Sequence, residues 1–249
     1  MKTRAQPWLG TIVEISADDD AAISAGFDAI ARVHAALNFH DANSELSAVN
    51  ARAQHRPVRL SRLAAACVAR AQFWAALSDG AFDASGGHWR EVHLDGPVLH
   101  FTATLVLDLS GIAKGFAVDR AVAALRGAGA ARGLVNAGGD MRGFGDSFGV
   151  QLVRPDRSPV AQLRLHNAAL ATSALRPDGS AGHLRGRAAR RVSASVETRR
   201  AVDADALAKI VLGNGPRVAA CLDRAGAVAL WIDADGALST QHGNRRVAA

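Results

Sequence analysis

Lysine is scarce in this chain. It has 249 residues and a formal net charge of +6, yet only Lys2, Lys114 and Lys209 are lysines, so its basic character rests on arginine. No run of eighteen apolar residues occurs, which argues against a membrane-spanning helix. The opening residues, Met1 to Trp8, lead into a strand-like segment without the apolar core of a signal peptide. Together these absences predict a soluble, cytoplasmic protein with no stable membrane insertion. Cysteine occurs only at Cys67 and Cys221, each on the apolar face of a helical pattern, so buried thiols are expected rather than a disulfide framework. There is no internal repeat and no linker-like segment, which points to one domain over residues 1–249. Apolar residues make up 49% of the chain, too many for disorder and enough for a sizeable core.

The arginines are densest at Arg185, Arg187, Arg190, Arg191, Arg199 and Arg200. Their spacing is irregular and no aromatic residue interleaves with them. A solvated face is expected, not a nucleic-acid surface.

Periodicity outlines an α+β protein. Leu9 to Ile15 alternates as a strand, and Asp18-Asp19-Asp20 offers acidic caps to a helix over 21–37, with Ile23, Phe27, Ile30, His34 and Leu37 on one face. Ser44 is placed to cap a short helix. Ser61 caps a longer one, 62–78, that stops at Asp79-Gly80. Strands are expected at Val58–Leu60, Val98–Phe101 and Thr104–Leu107, then at 133–136, 149–153, 161–165, 168–174 and 191–196. A turn is expected at 155–159 and another at Ala137–Asp140. Helices are expected over Val202–Leu212 and from Pro216 to about Asp223, with Ala227–Ile232 as the closing strand.

Two segments carry chemistry. Asp108-Leu109-Ser110-Gly111-Ile112-Ala113-Lys114-Gly115 takes an apolar strand into a helix, with a carboxylate, two glycines and a lysine around the turn. A helix start offers unpaired N–H groups, glycine lets a ligand approach the backbone, and Lys114 supplies a point charge, so the segment can hold a phosphate. Val135-Asn136-Ala137-Gly138-Gly139-Asp140 follows about twenty residues later. Before both lies Ala81-Phe82-Asp83-Ala84-Ser85-Gly86-Gly87-His88-Trp89, where an acid, a histidine and two aromatics flank a glycine pair.

In this order the segments resemble the ApbE family, the FAD:protein FMN transferases. Leu9-Gly10-Thr11, Phe39 to Asn50 with its Ser-Glu-Leu-Ser core, Gly80-Ala81-Phe82-Asp83, Asp108 to Asp119, Val135 to Asp140, Thr172-Ser173, His183 and Asp203-Ala204-Asp205-Ala206-Leu207 carry the resemblance. It implies a single compact ApbE-like, T-fold-like α+β unit of mainly antiparallel sheets with packed helices. It also implies transfer of FMN from FAD to a Thr or Ser of an acceptor protein, with AMP leaving.

By the same resemblance Leu9, His40, Ala81, Phe82 and Asp83 line the flavin and adenine ends of an FAD site, with His40 standing where relatives often have Tyr or Trp. Asp108 and Lys114 contact FAD. The Gly111 carbonyl and the Asp205 carboxylate correspond to Mg2+ ligands. Lys114, Asp205 and His183 are the catalytic candidates, His183 as a base, although a structural histidine fits as well. A carrier that binds FAD without transfer, and a pyrophosphatase that releases FMN and AMP, use the same residues.

The sequence departs from the family in its last third. Leu184-Arg185 follows His183 where the family has an intervening pair of apolar residues and then Asp-Pro, and Lys209 replaces the threonine that completes the metal site. Lys209 is one helical turn from Asp205 and can pair with it. Either Mg2+ binds through Asp205, Gly111, water and phosphate while Lys209 contacts phosphate or points away, or Lys209 assumes part of the cation's role.

Overall fold

A computed structural model describes residues 1–154, 157–175, 191–243 and 245–248. The strands are β1 (Lys2–Trp8), β2 (Thr11–Ala17), β3 (Val58–Arg59), β4 (Val92–Asp95), β5 (Val98–Phe101), β6 (Gly133–Ala137), β7 (Asp140–Phe144), β8 (Ser147–Val153), β9 (Pro159–His166), β10 (Ala169–Ala174), β11 (Arg191–Thr198), β12 (Val228–Asp233), β13 (Leu238–His242) and β14 (Arg245–Ala248). The helices are α1 (Asp20–Leu37), α2 (Glu45–Arg52), α3 (Arg62–Leu77), α4 (Ser110–Gly127), α5 (Ala201–Gly213) and α6 (Val218–Ala225).

Nine strands form one sheet in the order β1-β2-β6-β7-β10-β11-β12-β13-β14, with every neighbouring pair antiparallel. Helices α1, α4 and α5 lie side by side on one face, α1 over β2, α4 over β6 and β7, and α5 over β10 and β11. Val13, Ile15, Val135, Ala171 and Val196 face them, and Ile30, Ile112, Val118, Leu207 and Ile210 meet them from the helices. The hairpin β8-β9 covers part of the other face through a second cluster that includes Met141, Leu152, Leu165 and Leu170. The small sheet β3-β5-β4, with α2 and α3, packs beyond the helices.

Local signals account for many boundaries. Ser44 accepts the Ser47 N–H and Ser61 the Ala64 N–H, both at 3.1 Å, so each caps its helix. Asp79 and Gly80, both with positive φ, end α3. Both cysteines are free and buried. Burial pushes the Cys67 thiol well above its ordinary value and the Cys221 thiol up to about 11, so neither is a ready nucleophile. Among the described residues, no helix is long and apolar enough to cross a membrane.

Several sequence expectations are corrected. Leu9 and Gly10 do not open a strand; with φ of 55° and 72° they form the two-residue turn joining β1 to β2. Among the described residues, Thr104–Leu107 pairs with no strand. Asn50 takes the partner's place, donating to the Leu107 carbonyl and accepting its N–H at 2.9 Å each. Helix α4 begins at Ser110, so Lys114 and Gly115 lie inside it rather than in a turn. The turn before β7 is confined to Gly138-Gly139, and Asp140–Phe144 is a strand. Strand β12 does not close the sheet, because β13 and β14 extend it by hairpins. The 155–159 turn lies partly outside the described residues.

Candidate functional site

The site grows from the start of α4. Asp108 is anchored twice: its N–H donates to the Ala84 carbonyl at 2.7 Å, and its carboxylate accepts the Ser110 N–H at 2.9 Å. The first bond joins the 81–88 loop to the helix start. That loop is organised by Asp83, which accepts the Ser85 N–H at 2.7 Å, the Ser85 hydroxyl at 2.6 Å and the Gly87 N–H at 2.6 Å. Phe82 beside it is buried in the core, so its side chain serves packing.

Lys114, in the second turn of α4, ion-pairs with Asp140, the first residue of β7. The tight Gly138-Gly139 turn sets Asp140 there, with the Asn136 side chain accepting the Gly139 N–H at 3.0 Å. Gly138 is pressed against the Leu9-Gly10 hairpin, since an added methyl would lie 2.5 Å from the Thr11 hydroxyl. Leu9 and Gly138-Gly139 therefore share one end of the sheet.

Asp205 arrives from α5. A methyl at Gly115 would lie 2.3 Å from the Ala201 carbonyl oxygen and 2.8 Å from the Asp205 Cβ, so glycine is what lets α4 and α5 approach. At this crossing the Gly115 N–H donates to Asp205 Oδ2 at 3.0 Å. The helical repeat aims that N–H at the Gly111 carbonyl, so the carboxylate competes for the donor at the position expected to face a metal. The other oxygen, Oδ1, pairs with the Lys209 ammonium, which also donates to the Asp205 carbonyl at 3.2 Å. Lys209 does not point away.

Two buried carboxylates and two ammoniums thus meet at one place. Burial first, and then the Asp205 charge, push Asp140 up to about 6, and Lys114 and Lys209 only partly offset this. Burial acts in the same direction on Asp205, but Lys209 and Lys114 overcome it and hold its carboxyl below the ordinary value. For Lys114, burial favours the neutral amine, and the charges of Asp205 and Asp140 more than reverse this. The Lys114 ammonium is therefore permanent at physiological pH.

The other expected ligand contacts are held by local contacts of their own. Trp8 packs edge-on to His34 at 5.5 Å between ring centroids, His34 Nε2 lies 3.5 Å from the Asn38 amide, and Asn38 accepts the His40 N–H at 3.0 Å. This chain links Leu9 to His40. His40 is exposed and meets Phe39 edge-on. Ala81 lies against Gly215, where an added methyl would be 3.1 Å from its Cβ. His183 lies outside the described residues.

Sequence reasoning gave three residues no role that their placement now explains. Asn50 holds Leu107. Asp140, expected only to close the turn, carries Lys114. Asp119, on α4, accepts the N–H groups of Ala201 and Val202 at 3.0 Å each and so caps α5, whose own N-cap residue, Arg200, makes no side-chain capping bond and instead ion-pairs with Asp119 at 3.9 Å. No local spacing signals these partners, which lie 57, 26 and 82 residues away.

The residues around Asp205 do not fit the implied Mg2+ ion. Magnesium wants several oxygen ligands in near-octahedral array at about 2.0–2.1 Å. Here Asp205 has one oxygen on an ammonium and the other on a backbone N–H, and among the described residues no group of three or more His, Cys, Asp or Glu could hold a metal.

Comparison with known proteins agrees with the fold. The ApbE family profile matches residues 9–98 and 87–231. The fold is shared with the apo flavinyl transferase ApbE of Pseudomonas stutzeri, with a TM-score of 0.83 at 17% identity over 98% of this chain and 94% of that one. The ApbE protein of Thermotoga maritima gives 0.85 at 22% identity, covering 98% and 97%. The flavin transferase ApbE of Vibrio cholerae gives 0.82 at 21%, also covering 98% and 97%. No curated protein matches. This chain belongs to the ApbE family.

Proposed function

We propose that the protein transfers FMN from FAD to a Thr or Ser hydroxyl of an acceptor protein. The observation that carries this reading is the Lys114 ammonium fixed near the start of α4, held by Asp140 and within the field of Asp205. Family membership and the flavin transferase descriptions of the solved relatives support it. A helix start and a permanent cation suit the pyrophosphate that joins the two halves of FAD.

In this reading the acceptor hydroxyl attacks the FMN-side phosphorus. A new P–O bond forms, the bond from that phosphorus to the bridging oxygen breaks, and AMP leaves with the electron pair. Lys114 offsets charge building on the phosphoryl oxygens. The hydroxyl proton passes to a base, for which His183 is the candidate. Asp108 fixes the helix start, and Leu9, His40, Ala81, Phe82 and Asp83 form the walls toward the flavin and adenine, Phe82 through its backbone. Asp205 holds Gly115 and Lys209 in place.

The test is incubation with FAD and an acceptor carrying a threonine in a small-residue motif, with and without Mg2+, followed by the acceptor's intact mass and an AMP assay. One added FMN per acceptor with matching AMP is expected. AMP without acceptor would instead establish a pyrophosphatase, and bound FAD with neither product a carrier. Lys114→Ala and Asp205→Ala are expected to abolish transfer.

A further inference from the structure

We propose that Lys209 is the resident cation of this site, so that the protein binds the pyrophosphate of FAD through two ammoniums and needs no divalent metal to do so. The inference rests on the FAD reading above. Its basis is the pairing of charges. Asp140 is 2% exposed and carries Lys114; Asp205 is 1% exposed and carries Lys209, itself only 12% exposed. Each carboxylate already has its counter-cation, supplied by the chain.

Lys209 is fixed as well as charged. Its ammonium bonds both the carboxylate and the main-chain carbonyl of Asp205, one turn earlier on α5. Two donors aimed at one residue hold the head group against Asp205, and an ammonium has a third N–H left for an incoming phosphate oxygen. A neutral hydroxyl at this position would lend an oxygen to a metal and leave the Asp205 charge for that metal to balance. An ammonium balances the charge itself and repels a second cation. With Lys114 it places two positive charges around Asp205 and Asp140, where α5 meets α4 at Gly115.

The test uses the full-length protein, with FAD and Mn2+ as probes. FAD affinity, read by flavin fluorescence, is expected to agree within about twofold in EDTA and in millimolar Mg2+. The free Mn2+ electron paramagnetic resonance signal is expected to be unchanged by the protein. In Lys209→Thr, FAD binding should weaken at least about tenfold in EDTA and recover with Mg2+, and the variant's melting temperature should rise on adding Mg2+ while the wild type's does not. Wild-type FAD binding at least about tenfold tighter with Mg2+, or one Mn2+ bound by the wild type and released by Asp205→Asn, would overturn the proposal. If FAD binds in neither condition, the functional reading fails, and the Mn2+ measurement still decides whether Lys209 excludes a metal.

Discussion

The Asn50 side chain makes two hydrogen bonds to the backbone of Leu107, each 2.9 Å long, across 57 residues of sequence. A single amide thus stands in for a neighbouring strand and holds the extended segment that leads into Asp108. Asn50→Ala leaves both groups of a buried residue unpaired, an expected loss of about 3 kcal/mol by urea unfolding. FAD affinity should fall too, because the segment sets the start of α4.

Asp119 does comparable work inside the helical layer. It caps α5 and pairs with Arg142 at 2.6 Å. Asp119→Ala removes the cap and leaves the Arg142 guanidinium without that partner, with an expected cost of about 3 kcal/mol in chemical denaturation. Asp119→Asn keeps one acceptor and should lose less.

Replacing helical glycine by alanine ordinarily stabilises a helix by about 1 kcal/mol. At Gly115 the opposite is expected. The added methyl meets backbone atoms of Ala201 at 2.3 and 2.6 Å, so α4 and α5 must part. Gly115→Ala should lower stability by about 2–3 kcal/mol and pull Asp205 from the Gly115 N–H. Both a lower melting temperature and weaker FAD binding should report it.

The pH dependence of stability carries the mark of Asp140. Its carboxyl is raised from 3.8 to about 6, so between these values the native state holds a proton that the unfolded state has released. Stability from this group is therefore fully present below about pH 3.8 and lost as pH rises through about 6, a change of about 3 kcal/mol. Asp205, whose carboxyl is lowered, acts with the opposite sign: its contribution is present above 3.8 and is lost as pH falls below it. Unfolding free energies of the wild type and Asp140→Asn, measured from pH 4 to 8, should show the wild type losing ground steadily until about pH 7 and holding level beyond.

What could be read from the sequence was what neighbours along the chain decide. Ser44 and Ser61 cap their own helices, Asp79-Gly80 ends α3, and Asp205 and Lys209 share a face because four residues make about one helical turn. These contacts span a few residues, so spacing alone determines them. Strand β7 was hidden because its Met-Arg-Gly-Phe run is short and glycine-interrupted, and it is a strand only because β6 and β10 flank it. Thr104–Leu107 has the apolar character of a strand, yet the fold gives it a side chain for a partner. The charge arrangement was equally a matter of tertiary structure. Sequence supplied Lys114, Asp140, Asp205 and Lys209 as separate residues; the α4–α5 crossing at Gly115 and the turn at Gly138-Gly139 gathered them. Burial there removes the water that would screen them, and that is why burial and the neighbouring charges together shift Lys114, Asp140 and Asp205 from their ordinary values.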